Sequence, residues 1–431
     1  MKPISEATAL VYDNSLFLPV AHRLAKDFKR VLYFSPWEKG FSTINDAVIG
    51  DGFDDIERVF DIWDVKKEVD VFVFPDLGHS GLQRELESQG YPVWGCRSGD
   101  QQELDRELFM RTLTKCGLDV PEFKVIVGVR ELRKYLADQQ DVYVKISRYR
   151  GSFETIHFRS MDLDEGLLDL WGVKFGAVKD LIRFLVFQNI DTDLEIGADT
   201  YCVDGRWPSA LLHGIEWKDR SYLASVSERG KMPQQIQDVM ECYGKVLGEH
   251  NYRGFFSMEV RVKDEKGYFI DPTCRGGLPS TASQIAIWEN YSDIIYAGAR
   301  GELVEPVPAA KFSAESIVTM KSDKSMWATT EMPKELECRL MLSGCCMVDG
   351  KIAFPPSDAH EDEIGWLVAT GDSIEEVVHK QNEQADKLPD GLDANTETLA
   401  YVLKEIQSAE KEGIEFSQDK TPEPAIVLED K

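Results

Sequence analysis

Positive charge is what this chain has least of. Its 431 residues hold 49 Lys plus Arg against 76 Asp plus Glu, a formal charge of −27, and a surface of that sign repels phosphate backbones and anionic lipid. Nucleic acid and membrane surfaces are thereby excluded as general partners. Long apolar runs are also missing: none approaches the length that spans a bilayer. The opening MKPISEATALVYDNS has neither a basic-then-apolar leader nor an Arg-rich amphipathic one. The expectation is a soluble, cytoplasmic protein. Cysteine shows no pairing pattern. Cys96, Cys116, Cys202, Cys242, Cys274, Cys338, Cys345 and Cys346 include no Cys-x-x-Cys spacing, so reduced, mostly buried thiols are expected. A Ser-His-Asp or Cys-His arrangement is lacking as well, and His157, His213 and His250 read as structural.

What is present fits an α/β chain of several domains. Hydrophobic residues at 43% and charged residues at 29% allow a sizeable core, and the length asks for two or three of them. Up to about residue 95, short apolar runs alternate with amphipathic stretches, as in a parallel α/β unit. Ala9 to Tyr12, Val31 to Phe34, Val69 to Phe74 and Pro92 to Trp94 read as strands, with helices over Leu16 to Phe28 and Ser80 to Gln89. The junction after Tyr12 is Asp13-Asn14-Ser15. It lacks the Gly-x-Gly-x-x-Gly pattern that admits a dinucleotide pyrophosphate, so no nucleotide is expected there. Further on, Val142 to Ile146, Ile182 to Ile190 and Ile196 to Val203 read as strands. Pro233 opens a helix whose apolar face is Ile236, Val239, Met240, Tyr243, Val246 and Leu247. Ser373 and Glu376 form a capping box before another helix. From Glu410 the chain is acidic, with Pro422 and Pro424, and reads as a disordered tail.

The richest segment is GFFSMEVRVKDEKGYFIDPTCRGG, residues 254 to 277. Phe256, Met258, Val260 and Val262 alternate with Ser257, Glu259 and Arg261, the period of a half-buried strand. A five-residue turn from Lys263 to Gly267 would return the chain through Tyr268 to Asp271. If Val262 pairs with Tyr268, Glu259 faces Asp271 across roughly 4.5–5.5 Å, and two carboxylates that close call for a cation between them. Mg²⁺ suits the pair, because it takes oxygen ligands and leaves room for phosphates. By itself an acid pair across a hairpin is more often a solvated face. Lys145 could equally be a snorkelling strand residue, Glu195 a surface acid, and Arg275 a partner for either acid.

The order of elements narrows these alternatives. Asp105-Arg106 opens a helix, and Val142-Tyr143-Val144-Lys145 is a strand carrying a lysine, followed by a Gly/Ser loop. Phe187-Gln188-Asn189-Ile190 leads to Asp193-Leu194-Glu195, and the acid hairpin ends in Arg275. This sequence of parts, with the preamble SGDQQELDRELFMRTLTKCGLDVP, resembles the ATP-grasp superfamily of carboxylate ligases over about residues 95 to 280, and more loosely throughout. Within it the layout is most similar to the phosphoribosylamine-glycine ligase type. The resemblance implies an N-terminal Rossmann-like domain (1–96), an ATP-grasp domain (97–300), a small C-terminal α+β domain (301–408) and an acidic tail (409–431).

Residue by residue, the resemblance implies that Lys145 reaches the nucleotide phosphates and that Arg106 stands where the family usually has a second lysine. Arg150, Gly151 and Ser152 would form the loop over the phosphates, Gln188, Asn189 and Ile190 the hinge beside adenine, and Glu195 the ribose contact. Glu259, Asp271 and Thr273 would hold Mg²⁺ or Mn²⁺, and Arg275 would steady the transferred phosphate. Two departures are visible: Asp271 and Thr273 stand where Glu and Asn are common, and the loop after Lys145 has one glycine where relatives have several. The signature of the purine enzyme type is replaced by Thr273-Cys274-Arg275-Gly276-Gly277, so a different substrate is expected. The implied activity is ATP-dependent joining of a small-molecule carboxylate to an amine through an acyl phosphate. Substrate choice would fall to Asp13 to Ser15, Asp76 to Ser80 and Glu216 to Arg220. A degenerate grasp that binds nucleotide as a regulator is the alternative, an acidic scaffold without nucleotide is a second, and a homodimer is the oligomer left open.

Overall fold

Runs such as Thr8–Tyr12 and Arg30–Phe34 are apolar on both alternate sets of side chains, which is the pattern of strands covered on both faces. The computed structural model describes residues 2–35, 48–148, 154–192, 194–321, 326–357 and 361–417. It divides into two units, one formed by residues 1–98, 196–257 and 273–431, the other by 99–195 and 258–272.

The larger unit begins with a parallel sheet in the order Glu57–Arg58, Arg30–Phe34, Thr8–Tyr12, Val71–Val73, Val93–Trp94. Leu10, Leu32, Phe72 and Val93 pack on one side of it, and Ala9, Val11, Val31 and Val73 on the other. The chain builds outward in both directions from its first strand. The switch point, where open sheets of this kind take ligands, therefore lies between the carboxyl ends of Thr8–Tyr12 and Val71–Val73. The expected strands and the two helices between them are present as Leu18–Ala25 and Ser80–Ser88.

The same unit contains an antiparallel run of Glu195–Val203, Ala210–Trp217, Ser221–Glu228, Phe312–Lys321, Glu361–Gly371 and Leu340–Leu342. Helix Gln234–Glu249 follows Pro233, which sits at the cap rather than inside the first turn. Ser373 Oγ accepts from Glu376 N at 3.2 Å, so the cap forms as read, while Glu376 Oε2 accepts at 2.8 Å from the N–H of Asp372, one residue before the cap. Helix Leu399–Lys411 runs on past the start of the acidic stretch, and Ile414 and Phe416 beyond it are buried.

In the smaller unit, Phe123–Val127, Arg183–Gln188, Val142–Ile146 and Thr155–Phe158 form an antiparallel sheet. Val142, Val144 and Ile146 join Leu132, Leu136, Leu168 and Trp171 of helices Val129–Leu136 and Met161–Lys174 in one core. Strand alternation then sends Tyr143 and Lys145 to the opposite face. Helix Arg106–Cys116 is capped by Asp105, which accepts from Leu108 N, and ends at left-handed Gly117. Phe109 meets Phe269 edge-on at 5.2 Å, which seats this helix on the hairpin.

The expected hairpin turn needs correction. It is two residues, Asp264–Glu265, both at positive φ (50° and 64°), as a type I′ turn requires. The placing of Glu259 opposite Asp271 rested on the longer turn. The cysteine expectation holds for six free thiols, five of them buried and Cys338 exposed. Cys116 and Cys242 are in the disulfide-bonded form instead, which nothing in their spacing signals. Among the described residues no helix is long and apolar enough to cross a membrane.

Candidate functional site

In the smaller unit the site starts from Lys145. Its strand leaves it on the face away from the apolar core, and its Nζ donates to Asp271 Oδ2 at 3.3 Å and Ile270 O at 3.4 Å. Burial pulls this ammonium below its ordinary range; Asp271 opposes that, Arg106 adds to it, and Glu259 opposes it. Both hairpin acids therefore act on one lysine. Arg106 lies at the first turn of its helix, 4% exposed, bonded to Asp271 Oδ1 and, at 3.3 Å, to Glu154 Oε1. Burial alone would lower the guanidinium, but Asp271, then Glu154 and Glu103, raise it above its usual value. Each oxygen of Asp271 is thus covered by a different cation. Arg148 binds Asp105, the cap of the Arg106 helix, at 2.6 Å.

Farther along the same face, Arg261 Nε donates to Glu195 Oε2 at 3.3 Å and its guanidinium lies 5.4 Å from the Tyr143 ring centre. His157 stacks on Tyr143 at 4.5 Å and 7°. Asp141 gathers His157 Nε2 and Asn189 Nδ2 at 2.6 and 2.9 Å. Gln188 ends its strand opposite Val142, and Ile190 is half-buried. Lys145, Arg106, Glu259 and Asp271 therefore form one cluster, with Glu195 and Asn189 in separate pairs on the same unit. Arg150, Gly151 and Ser152 fall outside the described residues. Glu154 and Arg261 were missed. Arg261 was legible from its alternation with Glu259, whereas nothing marked Glu154.

Two observations bear on a nucleotide and its metal. Glu259 and Asp271 supply hard carboxylate oxygens, the donor type and number that Mg²⁺ takes beside phosphates. Among the described residues no group of three or more His, Cys, Asp or Glu is placed to hold a metal by itself, so phosphate oxygens would have to add to the shell. Asn189 Oδ1 is buried without a hydrogen-bond partner, an orphaned acceptor suited to an amino group such as that of adenine. The residues fit the group.

In the larger unit, Thr273 ends the strand Lys266–Thr273 and Arg275 follows it. Arg275 Nε lies 3.9 Å from Asp76 Oδ1, and Gly276 N donates to Pro75 O at 3.0 Å. Asp13, fully buried, accepts from Phe17 N at 3.0 Å, Leu16 N at 3.2 Å and Tyr33 Oη at 2.7 Å, so it holds the turn into its helix. Burial raises it to about 6 despite those bonds, with Asp76 adding to the rise.

A second acid group in this unit went unread. Tyr222 Oη donates to Asp199 Oδ2 at 2.5 Å, crossing the strand at Gly214, where a Cβ would come 2.2 Å from the Tyr222 ring. Glu315, 0% exposed, accepts from Ser283 N at 2.9 Å and from Ser280 N. Burial lifts it to about 7; Ser283 and Ser280 resist, and Asp199 adds to the lift. Burial raises Asp199 too, against the Tyr222 hydroxyl. The cluster fixes the turn just after Arg275.

No family model matches the chain. A curated relative, the carbamoyl phosphate synthase large chain of Sulfolobus acidocaldarius, is 26% identical over 260 residues, 57% of this chain and 24% of the relative. The match thus spans about a quarter of that protein. Among solved structures, phosphoribosylamine-glycine ligase from Thermotoga maritima superposes with a TM-score of 0.65 at 16% identity, covering 90% of this chain and 98% of its own. The biotin carboxylase domain of 2-oxoglutarate carboxylase from Hydrogenobacter thermophilus, solved with MgADP, ADP and bicarbonate, gives 0.64 at 11% identity, covering 96% and 97%. The chain shares its fold with these two enzymes.

Proposed function

We propose that the chain is an ATP-dependent ligase that joins a carboxylate to an amine. ATP transfers its γ-phosphoryl to a carboxylate oxygen, giving an acyl phosphate and ADP. The amine nitrogen attacks the acyl carbon, and phosphate leaves with the C–O bonding pair and one proton from nitrogen. The observation that carries this reading is Lys145, half-buried, with its Nζ 3.3 Å from Asp271 Oδ2 and under the charge of Glu259 as well. Glu259 and Asp271, with Thr273, would hold Mg²⁺ or Mn²⁺, which when bound supplies charge neutralisation for the phosphates. Lys145 would exchange Asp271 for phosphate oxygens, offsetting charge that grows during transfer. Arg106 would keep Asp271 ionised and aimed. Asn189 and Glu195 would orient base and ribose, and Arg275 the transferred phosphoryl.

The test is to incubate the full chain with MgATP, candidate acids and amines, and follow ADP. Acid- and amine-dependent ADP supports the reading, and full activity in Asp271→Asn would remove the metal assignment. A second reading is favoured by the Arg106 contact, which occupies a ligand oxygen: a nucleotide-binding regulator in which that ion pair never opens. It requires tight MgATP binding with no ADP from any substrate mixture.

A further inference from the structure

We propose that the outer face of helix Met161–Lys174, on the smaller unit, is a self-association surface. The same helix of a second copy of this chain packs along it in parallel, through Leu163, Gly166, Leu170 and Val173. The proposal is independent of the ligase reading.

This helix carries two apolar stripes where a surface helix has one. Asp164, Leu168 and Trp171 are buried, the last two in the core of the smaller unit. At 3.6 residues per turn, Leu163, Leu170 and Val173 point well away from that stripe, and they remain 65%, 38% and 79% exposed. Val178 and Leu181, beyond the helix end, are exposed as well. Five of the twelve large apolar side chains left exposed among the described residues thus fall between 163 and 181. Single exposed apolar residues need no explanation, but a concentration of them marks a contact surface.

The spacing says what covers it. Leu163, Gly166, Leu170 and Val173 recur at intervals of three, four and three residues, the a and d positions of two heptads. That period is met by another helix whose side chains enter the holes of the first. A helix presented to its own copy makes a self-complementary contact closed by a two-fold axis. Gly166 opens the hole: a Cβ built there would have nothing within 4 Å, so Leu163 and Leu170 of the second copy can settle against bare backbone.

Charge sets the direction. Asp162 and Asp169 fall at g positions, Leu167 and Lys174 at e positions. In a parallel pair each Asp169 lies opposite Lys174 of the second copy, and the two-fold axis repeats the match. In an antiparallel pair the g flanks meet, and Asp162 would face Asp169. Arg133 holds Asp169 by Oδ1 and Glu165 by Oε1, which leaves Asp169 Oδ2 for a lysine and keeps Glu165 occupied on its own chain.

Two heptads make a short seam, so a reversible dimer of about micromolar affinity is expected. Sedimentation of the full chain, at concentrations on both sides of that value, should show monomer giving way to dimer. Leu170→Glu and Val173→Glu change exposed positions and spare the monomer's core; each should weaken the dimer about a hundredfold, because a carboxylate would be buried without a partner. Lys174→Glu should weaken it about tenfold, and adding Asp169→Lys should restore it. Direction is read with Leu163→Cys in a Cys338→Ser background, which removes the exposed native thiol. A parallel seam brings the two introduced thiols within disulfide reach on mild oxidation, whereas an antiparallel one separates them by roughly 15 Å along the axis. A chain that stays monomeric throughout, or a dimer left intact by Leu170→Glu and Val173→Glu, overturns the proposal. A dimer that those variants break, but in which Leu163→Cys forms no disulfide between copies, overturns the parallel seam.

Discussion

Two acid groups of this molecule, one at Asp271 and one at Asp199 and Glu315, are handled in opposite ways. Asp271 is covered by two cations, Arg106 and Lys145, with Glu259 also acting on the lysine. Asp199 is held by the Tyr222 hydroxyl and Glu315 by backbone N–H groups, and burial drives both toward the protonated form. A carboxylate matched by cations keeps its charge and can exchange partners with a charged ligand. A carboxylate matched by neutral donors retains its proton and serves as an internal clamp. The first arrangement is suited to a metal nucleotide, the second to holding the turn that follows Arg275.

The largest expected effect comes from breaking the first group. Lys145→Ala should lower ADP formation by about a thousandfold or more, in line with loss of a preorganised charge at a transferring phosphoryl. Its MgATP-dependent rise in melting temperature should shrink as well. Next is Arg106→Met, which leaves Asp271 with one cation and Glu154 with none from this pair. A loss of about 3 kcal/mol in denaturant stability is expected, and an unchanged midpoint would mean the pair is solvent-screened.

Breaking the second group should cost less and leave nucleotide binding alone. Tyr222→Phe removes the hydroxyl that reaches Asp199 and should cost about 1–2 kcal/mol, read by the same denaturation. Glu315→Gln sharpens the contrast through pH. Because Glu315 is raised to about 7 in the fold from 4.5, the native state binds more protons than the unfolded chain between those values. Its contribution is complete below about 4.5 and is lost as pH rises toward 7 and beyond. Melting temperatures taken between pH 5 and 8 should therefore fall less steeply in the Gln variant than in the parent. Parallel curves would show that Glu315 stays ionised.

Much of this contrast could not be read from residues in order. Lys145 could, because Val142, Val144 and Ile146 alternate with it and one sheet face must be apolar. The parallel sheet was legible for a related reason: runs such as Val31 to Phe34 are too short for helices and too apolar for exposed strands. The capping box at Ser373 was equally local. The hairpin register was not, since Asp264-Glu265 can take a two-residue turn only by adopting positive φ at both residues, and neither is glycine. Arg106 meeting Asp271 spans 165 residues, and the hydroxyl of Tyr222 reaches Asp199 only because Gly214 leaves the space. Such contacts are set by register and tertiary packing, for which no local pattern exists. Asp13 to Ser15 and Asp76 to Ser80 were named as substrate loops, yet Asp13 proves to be a buried turn-holder, while Asn14 and Asp76 bond to each other.

The central claim is phosphoryl transfer to a carboxylate, and oxygen tracing tests it most directly. The full chain would be incubated with MgATP, an amine and a carboxylate substrate labelled with ¹⁸O, and the released inorganic phosphate analysed by mass. The account predicts ADP together with phosphate carrying one labelled oxygen from the carboxylate. AMP with pyrophosphate, or ADP with unlabelled phosphate, would contradict it.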